Sequence, residues 1–289
     1  MRRNILALLL AVMMAATLLT ACGGSASTPA SASESASASG SESAPAEEPL
    51  RVGMECDYAP NNWQENAPTD TNLPIENLPG AYAEGYDVQV ARMIGEALGR
   101  EVVVQKLAWD GLIEALNAGQ IDMIIAGMAD TETRKQSVAF SLTYKPTEYV
   151  IMVQGDGPYA SATRLEDFEG AAILGQKDTK YDEVIDQIPG VNHLTPVENV
   201  PNMLARLEQN ACDGIVVGKD NAAAYLNTYP QFAMVRFEEG FELGFTGSCV
   251  GLRLEDTDLL EQVNAVIEPL TQEDFTAMID KAIEQMPKY

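Results

Sequence analysis

Residues 85–144 read GYDVQVARMIGEALGREVVVQKLAWDGLIEALNAGQIDMIIAGMADTETRKQSVAFSLTY, and the periodicity of this stretch decides the fold class. Apolar residues at helical spacing predict a helix that begins at Asp87, its expected N-cap, and ends at Gly99. Residues 101–105 are rich in valine and predict a strand. A helix that leads into a strand is the first half of an α/β repeat.

The second half of the same stretch completes the repeat. Trp109 opens a short helix that is expected to stop at Gly119, and residues 121–126 are apolar except for Asp122. Such a run is typical of a parallel strand covered on both faces. Strand, helix and strand in succession form a βαβ unit, so the sequence predicts an α/β fold.

The residues that follow this strand hold the first candidate for ligand binding. Open α/β sheets bind ligands beyond the carboxyl ends of their strands, and here residues 127–134 read GMADTETR. The planar guanidinium of Arg134 can hold a carboxylate through two charge-assisted hydrogen bonds, a geometry that a lysine does not reproduce. Arg134 is therefore predicted to bind an anion, whereas the adjacent Lys135 is predicted to be a solvated surface residue.

The start of the chain has the pattern of a secretory signal. A charged beginning is followed by an apolar run over residues 5–19 that is too short for a stable membrane span. The run leads into LTAC at residues 19–22, which resembles a lipobox and predicts that Cys22 is lipidated when the signal, residues 1–22, is processed. The alternative is a plain signal peptide with an incidental cysteine. Lipidation would anchor the protein to the cell membrane from outside, without a spanning segment.

A tether is predicted to follow the anchor. Residues 23–49 consist almost only of Ser, Ala, Gly, Pro and Glu, a composition that predicts disorder. A flexible chain of this length would hold the next domain about 25 to 30 Å from the anchor. No later apolar stretch approaches the ~20 residues that a spanning helix needs, so the lipid is the predicted contact with the membrane.

Charge and cysteine usage exclude several functions. The chain carries 18 basic and 43 acidic side chains, a net charge of −25, which argues against nucleic-acid binding. It does not by itself predict a cationic ligand, since net charge mainly sets solubility and long-range steering.

Once Cys22 is lipidated, the remaining cysteines permit at most one disulfide, and their spacing indicates no metal site. They are Cys56, Cys212 and Cys249. No catalytic motif is present, and His193 lies in an expected surface turn, so neither a catalytic residue nor a cofactor is predicted.

An internal echo predicts two lobes. Residues 112–127 contain a short apolar helix, then Asp122, then an apolar strand that ends in a glycine. Residues 203–218 repeat this order around Asp213. Chance similarity between two ordinary α/β units is the alternative. If the echo is real, the two glycines end corresponding strands in separate lobes, and a ligand would lie between them.

Short motifs follow one another in a specific order and spacing: GYDVQVA, WDGLIEAL, GQIDMIIAGM, TETRK and FSLTY. Together they resemble the extracytoplasmic solute-binding proteins of polar amino-acid ABC transporters, and the resemblance covers about residues 50–287. It implies an α/β, two-lobed periplasmic-binding-protein-like fold with two hinge crossings. Lobe 1 would comprise residues 50–145 and 249–289, and lobe 2 residues 146–248.

The resemblance also implies a binding site between the lobes. Arg134 would bind the α-carboxylate of the ligand, and lobe 2 would contribute Asp178 and Thr179 from a QKDT loop that leads into a helix, whose unpaired N–H groups suit an anion. An ordinary helix cap is the alternative role of Thr179. Further backbone donors would come from Gly127, Met128 and Ala129, the last at a position where the family often has Ser or Thr.

Two aromatic side chains and an acid would complete this site. Trp109 and Tyr58 would pack against the ligand, although each is also suited to a core. The family commonly binds the ligand's ammonium with an acid at the position of Gly218. Because a buried ammonium without a carboxylate is costly, either Glu55 or Asp220 would take that role here, or the ligand is not a standard α-amino acid. The choice between the two acids stays open.

The sequence thus predicts a monomeric, extracytoplasmic, lipid-anchored protein that binds a small polar solute, expected to be an amino acid or a related carboxylate. It would deliver this solute to an ABC transporter permease, with no cofactor, metal or nucleic acid involved. Two alternatives stay open. One is an enzyme on the same frame, such as a dehydratase that uses Glu55 or Asp220 as an acid. The other is a ligand-sensing partner of a membrane receptor.

Overall fold

The structure, a computed structural model, describes residues 48–245 and 247–287. The predicted signal peptide with its lipidation site Cys22, and all but the last two residues of the predicted tether, lie outside the described residues. The fold below is that of the described part of the chain.

Strands of the described residues are short and are numbered in chain order. They are β1 (Leu50–Met54), β2 (Asp57–Tyr58), β3 (Asn62–Glu65), β4 (Leu73–Pro74), β5 (Tyr82–Glu84), β6 (Val102–Lys106), β7 (Met123–Ile124), β8 (Ala139–Pro146), β9 (Tyr149–Gln154), β10 (Ala172–Leu174), β11 (Asn192–His193), β12 (Gly214–Gly218), β13 (Phe232–Val235) and β14 (Gly247–Leu252).

Helices alternate with these strands. They are α1 (Tyr86–Leu98), α2 (Leu112–Asn117), α3 (Lys180–Glu183), α4 (Val200–Glu208), α5 (Lys219–Thr228), α6 (Thr257–Ile267) and α7 (Gln272–Gln285). Shorter 3₁₀ segments occur at Trp109–Gly111, Arg134–Gln136, Leu165–Phe168 and Val184–Gln187. The alternation confirms the α/β class that the sequence predicts.

The strands of the described residues form two five-stranded sheets and one smaller sheet. Strand order is β6-β1-β7-β14-β8 in the first sheet and β11-β10-β12-β9-β13 in the second. In each sheet three mutually parallel strands at one side are followed by two antiparallel pairings at the other. The four-stranded sheet β2-β3-β5-β4 lies in the chain between β1 and α1. Each five-stranded sheet has its own buried apolar cluster, so each defines a lobe.

The chain crosses between the two lobes twice. β8 ends at Pro146 in the first sheet and β9 begins at Tyr149 in the second. The chain returns to the first sheet between the end of β13 and the start of β14. The crossings lie side by side because β8 pairs antiparallel with β14, which places Lys145 opposite Ser248. Adjacent crossings are the usual arrangement of a hinge. The two-lobed fold with two crossings is confirmed, whereas the numbered lobe boundaries stay a prediction.

The beginning of α1 differs from the prediction. Its N-cap is Gly85, with a φ of 129°, and not Asp87, which lies in the first turn. A β-carbon on Gly85 would lie 2.4 Å from the carbonyl oxygen of Asn61, so the close approach of the backbone requires glycine. Asp87 is instead fully buried and accepts hydrogen bonds from more distant side chains. The predicted end at Gly99, with a φ of 65°, is confirmed.

The strand predicted for residues 121–126 is shorter in the structure. β7 covers only Met123–Ile124, which pair with Val52 and Gly53 of β1. At Asp122 the side chain, and not a backbone carbonyl, accepts the hydrogen bond from the Arg51 N–H, and the regular strand begins one residue later. The apolar residues of the run are nevertheless buried, as the pattern predicts.

The internal echo corresponds to one hydrogen-bond arrangement that occurs in both lobes. Asp122 Oδ2 accepts from the Arg51 N–H at 2.9 Å, and the Asp122 N–H donates to the Arg51 carbonyl at 2.8 Å. In lobe 2, Asp213 makes the same pair of bonds with Ala172, both at 2.8 Å. Each aspartate lies directly before the central strand of its sheet and therefore holds that strand to the neighbouring one.

The described cysteines and the histidine pack within the lobes and do not line the cleft between them. Cys56, Cys212 and Cys249 are free and buried, and burial raises the pKa of the Cys56 thiol to about 12. His193 lies in β11 and not in a turn, and its ring nitrogens lie 2.8 Å from Asp182 and Asp186. Partial burial disfavours the charged ring, but these two carboxylates outweigh it and raise the pKa of His193.

Candidate functional site

A cleft between the two lobes brings together most of the predicted ligand-binding residues. Those that line it are Glu55, Tyr58, Trp109, Gly127, Ala129, Arg134 and Thr179. Met128, Asp178 and Asp220 are not among the residues that line it. The cleft also has polar lining residues that sequence reasoning did not single out: Asn61, Lys145, Tyr149, Tyr181 and Asn221.

Arg134 lies at the start of the short 3₁₀ segment after β7, with its guanidinium in the cleft. Its Nη1 donates to the carbonyl of Ala129 at 2.9 Å, and its Nη2 donates across the cleft to the carbonyl of Asp178 at 3.0 Å. Burial lowers the pKa of Arg134. Because a guanidinium has five N–H donors, the two carbonyls leave capacity for an anion.

Trp109 and the backbone carbonyl of Asp178 both contact the guanidinium group or its neighbours beside the cleft. The guanidinium carbon of Arg134 lies 5.1 Å from the centroid of the Trp109 ring, a cation–π contact. The indole Nε1–H donates to the Asp178 carbonyl at 3.1 Å. Asp178 has a φ of 58°, which turns this carbonyl toward lobe 1 while the side chain is exposed. The contribution of Asp178 is therefore made by its backbone.

The residues of the predicted backbone donor loop have different surroundings. The Gly127 N–H donates to the hydroxyl of Tyr144 at 3.0 Å, so it has a partner within lobe 1. The Met128 side chain is buried in an apolar cluster with α2 residues, away from the cleft. The Ala129 carbonyl holds Arg134. This loop thus positions the guanidinium.

Thr179 lines the cleft and caps α3. Its hydroxyl donates to the Gln176 carbonyl at 2.7 Å and accepts from the Tyr181 N–H at 3.1 Å. α3 has only four residues, and a helix of one turn has a weak dipole. The geometry is that of the ordinary cap that sequence reasoning kept as an alternative, placed at the edge of the cleft.

Glu55 and Asp220, the two candidate acids, lie in different environments. Glu55 follows β1, is only 6% exposed and accepts a hydrogen bond from Gln176 Nε2 at 3.1 Å. Burial raises the pKa of Glu55 to about 8, Asp57 adds to the shift, and the bond from Gln176 opposes it. Asp220 lies in the first turn of α5 and does not line the cleft.

Gly218, the position at which the resemblance implies an acid, lies against a cluster of hydroxyl groups. Its N–H donates to the Tyr181 hydroxyl at 3.0 Å, and this hydroxyl lies 2.5 Å from that of Tyr58. A β-carbon on Gly218 would lie 2.9 Å from Asn221 Oδ1 and 3.2 Å from the Tyr181 hydroxyl. The cluster therefore occupies the space that an acid at residue 218 would need.

Lys145 is the most informative residue that sequence reasoning missed. It is 5% exposed, lines the cleft, and donates from Nζ to Asn61 Oδ1 at 2.6 Å. The available signal was its place directly after the FSLTY motif and before Pro146, at the first crossing. The sequence around Lys145 contains no pattern that tells a lysine in the cleft from a lysine on the surface.

Comparison with known proteins assigns the family. The chain belongs to the bacterial extracellular solute-binding proteins, family 3, whose family model matches residues 50–285. It is 27% identical over 241 residues to the probable histidine-binding protein of Campylobacter jejuni, covering 81% of this chain and 84% of that protein. It is 24% identical over 259 residues to an arginine-binding extracellular protein of Bacillus subtilis, covering 87% of each.

A solved structure agrees with this family. The crystal structure of the substrate-binding protein of an amino acid ABC transporter is 29% identical and superposes with a TM-score of 0.68, covering 82% of this chain and 100% of that one. Proteins of this family bind solutes outside the cytoplasm and are not enzymes, so the prediction of a non-catalytic binding protein is confirmed. Among residues 48–245 and 247–287, no helix is both long and apolar enough to cross a membrane.

The hydroxyl cluster at Gly218 yields a stability prediction. We expect Gly218→Asp to lower the free energy of unfolding by about 1 to 3 kcal/mol, because the new side chain overlaps Asn221 and Tyr181. Gly240→Asp is the matched control, since a β-carbon there meets no atom within 4 Å. Urea unfolding followed by tryptophan fluorescence measures both. Equal stabilities of the two variants would contradict the packing described for Gly218.

Proposed function

We propose that this protein binds an amino acid, or a related small carboxylate, between its lobes and delivers it to the permease of an ABC transporter. The observation that carries the proposal is the Arg134 guanidinium, which lines the cleft. In the described part of the chain, no carboxylate forms an ion pair with it. The names of the relatives, which bind histidine and arginine, support an amino acid as the ligand class.

Arg134 is suited to hold a carboxylate that arrives from solution. The loop carbonyl of Ala129 fixes one side of the guanidinium, and the ring of Trp109 covers one face. A guanidinium held in this way has lost part of its hydration and most of its rotational freedom, so little further ordering is needed when a ligand binds. The contact to the Asp178 carbonyl links the ligand anchor in lobe 1 to lobe 2, which couples binding to closure.

Glu55 is the proposed partner of the ligand's ammonium. It lies in the cleft, whereas Asp220 does not line it. With a pKa of about 8, Glu55 is mainly protonated at neutral pH in the absence of a cation. An ammonium beside it would stabilise the ionised form and lower this pKa. Binding of an α-amino acid would therefore release a proton from Glu55.

The protein is further proposed to act as a monomer anchored by a lipid on Cys22, through the tether of residues 23–49. The support is the lipobox-like LTAC sequence and the biased composition that follows it. A lipid anchor would keep the binding domain near a permease in the same membrane, which raises the local concentration of the two partners.

Replacement of Arg134 tests the carboxylate site. We expect Arg134→Ala to reduce affinity by about 10² to 10⁴, because removing one partner of a buried charge pair costs about 3 to 5 kcal/mol. Lys135→Ala is the control, since Lys135 pairs with Asp130 and Glu132 at the surface and should change affinity less than about threefold. Calorimetric titration with the best ligand from a panel of L-amino acids measures both. A change below about threefold for Arg134→Ala would refute this carboxylate site.

The pH dependence of binding tests Glu55. Between pH 6 and 8 we expect the affinity for an α-amino acid to rise, since the proton that Glu55 loses on binding is less costly to remove at higher pH. Glu55→Gln should abolish this rise and reduce affinity at pH 8 about tenfold or more. A deaminated analogue has no ammonium, so its affinity should not rise with pH. The assignment fails if amino acid and analogue show the same pH profile.

Replacement of Cys22 tests the anchor. Cys22→Ser should move the protein from the membrane fraction to the soluble extracellular or periplasmic fraction, because the acyl chains supply most of the membrane affinity. Ligand binding should be unchanged, since the anchor lies far in sequence from the described domain. Cell fractionation with a high-salt wash measures the first effect. Retention of the variant in salt-washed membranes would contradict lipidation at Cys22.

A further inference from the structure

Lys145 is a buried cation in the cleft that the proposed binding mode does not yet use. It lies near the end of β8, next to the first crossing between the lobes, and is 5% exposed. Its Nζ donates to Asn61 Oδ1 at 2.6 Å and lies 5.6 Å from the centroid of the Tyr86 ring. An ammonium has three N–H donors, so the bond to Asn61 leaves two of them for other acceptors.

The protein balances this charge only from a distance. Within residues 48–245 and 247–287, no carboxylate forms an ion pair with Lys145, and the acids that act on it are Asp220 and Asp87. Both oxygens of Asp87 already accept hydrogen bonds from Asn62 and Tyr144. Burial lowers the pKa of Lys145 despite these two acids. A buried ammonium of this kind is costly to keep and is typical of a functional site.

Among the described residues, the lobe 2 lining of the cleft holds no acidic side chain, and Asp220 of lobe 2 acts on Lys145 from outside that lining. Gly218 has no side chain, and the groups around it are the amide of Asn221 and the hydroxyls of Tyr181 and Thr147. An ammonium placed near Lys145 would meet a like charge in a poorly screened site, whereas a carboxylate would meet an opposite one. The local chemistry therefore favours an anionic ligand group.

We propose that Lys145 is a second anion anchor beside Arg134, and that the ligand carries two acidic groups, as an acidic amino acid or another small dicarboxylate does. The proposal rests on the proposed function, in which Arg134 holds the first carboxylate. Lys145 then determines specificity, because it selects among carboxylate ligands by their second group.

Lys180 provides a matched comparison within the same cleft. It also lines the cleft, but its Nζ lies 2.5 Å from Glu183 Oε2, so its charge is already paired. Removal of either lysine changes the net charge of the lining equally. Each lysine keeps two N–H donors, but only the charge of Lys145 has no ion-pair partner among the described residues, so the two variants separate a direct charge pairing from a general effect of charge.

Amide isosteres test the proposal on the unaltered protein. Calorimetric titration would compare L-glutamate with L-glutamine, L-aspartate with L-asparagine, and succinate with succinamate, pairs that differ in one carboxylate. In at least one pair we expect the diacid to bind about tenfold or more tightly than its amide, the effect of one charge-assisted contact. Equal or tighter binding of the amide in every pair would overturn the proposal.

Two lysine variants test whether Lys145 causes the preference for the diacid over its amide. Lys145→Met should bring the diacid and its amide to within about threefold of each other, while Lys180→Met should keep their ratio. Ligand-free Lys145→Met should melt at or above the temperature of the unaltered protein, because a buried charge that serves binding is costly to the fold. A preserved ratio in Lys145→Met, or a melting temperature lower by about 5 °C or more, would overturn the role of Lys145.

The outcomes also separate this proposal from the proposed function. If a neutral or basic amino acid binds best and Arg134→Ala abolishes that binding, the amino-acid function stands and the second anchor is refuted. If the protein binds none of the amino acids or diacids, both proposals are refuted together.

Discussion

A single buried carboxylate, that of Asp87, fixes the geometry on which the cleft depends. The residue is 0% exposed, and its oxygens accept from Asn62 Nδ2 at 2.7 Å and from the Tyr144 hydroxyl at 2.8 Å. The Tyr144 hydroxyl in turn accepts from the Gly127 N–H at 3.0 Å. Burial raises the pKa of Asp87, and the hydrogen bonds and the charge of Lys145 oppose that shift. One acid thus ties the start of α1 to β8, to the small sheet and to the loop after β7.

This arrangement explains how two cationic groups of the cleft, those of Arg134 and Lys145, are placed by lobe 1. Tyr144 is held in the core, and the next residue along β8, Lys145, lines the cleft. Gly127 is held by the same hydroxyl and leads, two residues later, to the carbonyl that holds Arg134. Lobe 2 offers hydrogen-bonding groups to Arg134, among them the Asp178 carbonyl, and the charge of its Lys180 is paired with Glu183. In the proposed mode, a ligand is held by charge on lobe 1 and then enclosed by hydrogen bonds from lobe 2. Hinge closure thus brings lobe 2 onto a ligand that lobe 1 already binds.

Features that depend on neighbouring residues could be predicted from the sequence, whereas contacts between residues far apart in the chain could not. The end of α1 at Gly99 and the burial of the run around β7 follow from nearby residues, and the structure has them. Arg134 could be found because a loop after a buried strand faces a ligand site in this class of fold. The contact between Tyr58 and Tyr181 joins residues 123 positions apart, and no local pattern contains it. Asp87 fits the pattern of a cap, but a tertiary partner takes its carboxylate instead.

The charge of the whole chain and the charge of the cleft have opposite signs, and distance decides which one a ligand meets. The chain has a net charge of −25, yet the described cleft presents Arg134 and Lys145 without ion-pair partners. Surface charges are screened over about 8 Å at physiological ionic strength, whereas partly buried charges at contact distance are screened far less. Glu55, mainly protonated at neutral pH, adds little negative charge to the cleft before a cation arrives. The cleft is thus electropositive toward a carboxylate, and in the proposed binding mode it would gain a compensating negative charge when Glu55 loses its proton to admit an ammonium. A zwitterion with an additional acidic group would then pair the charges of Arg134 and Lys145, which have no ion-pair partners in the described part of the chain.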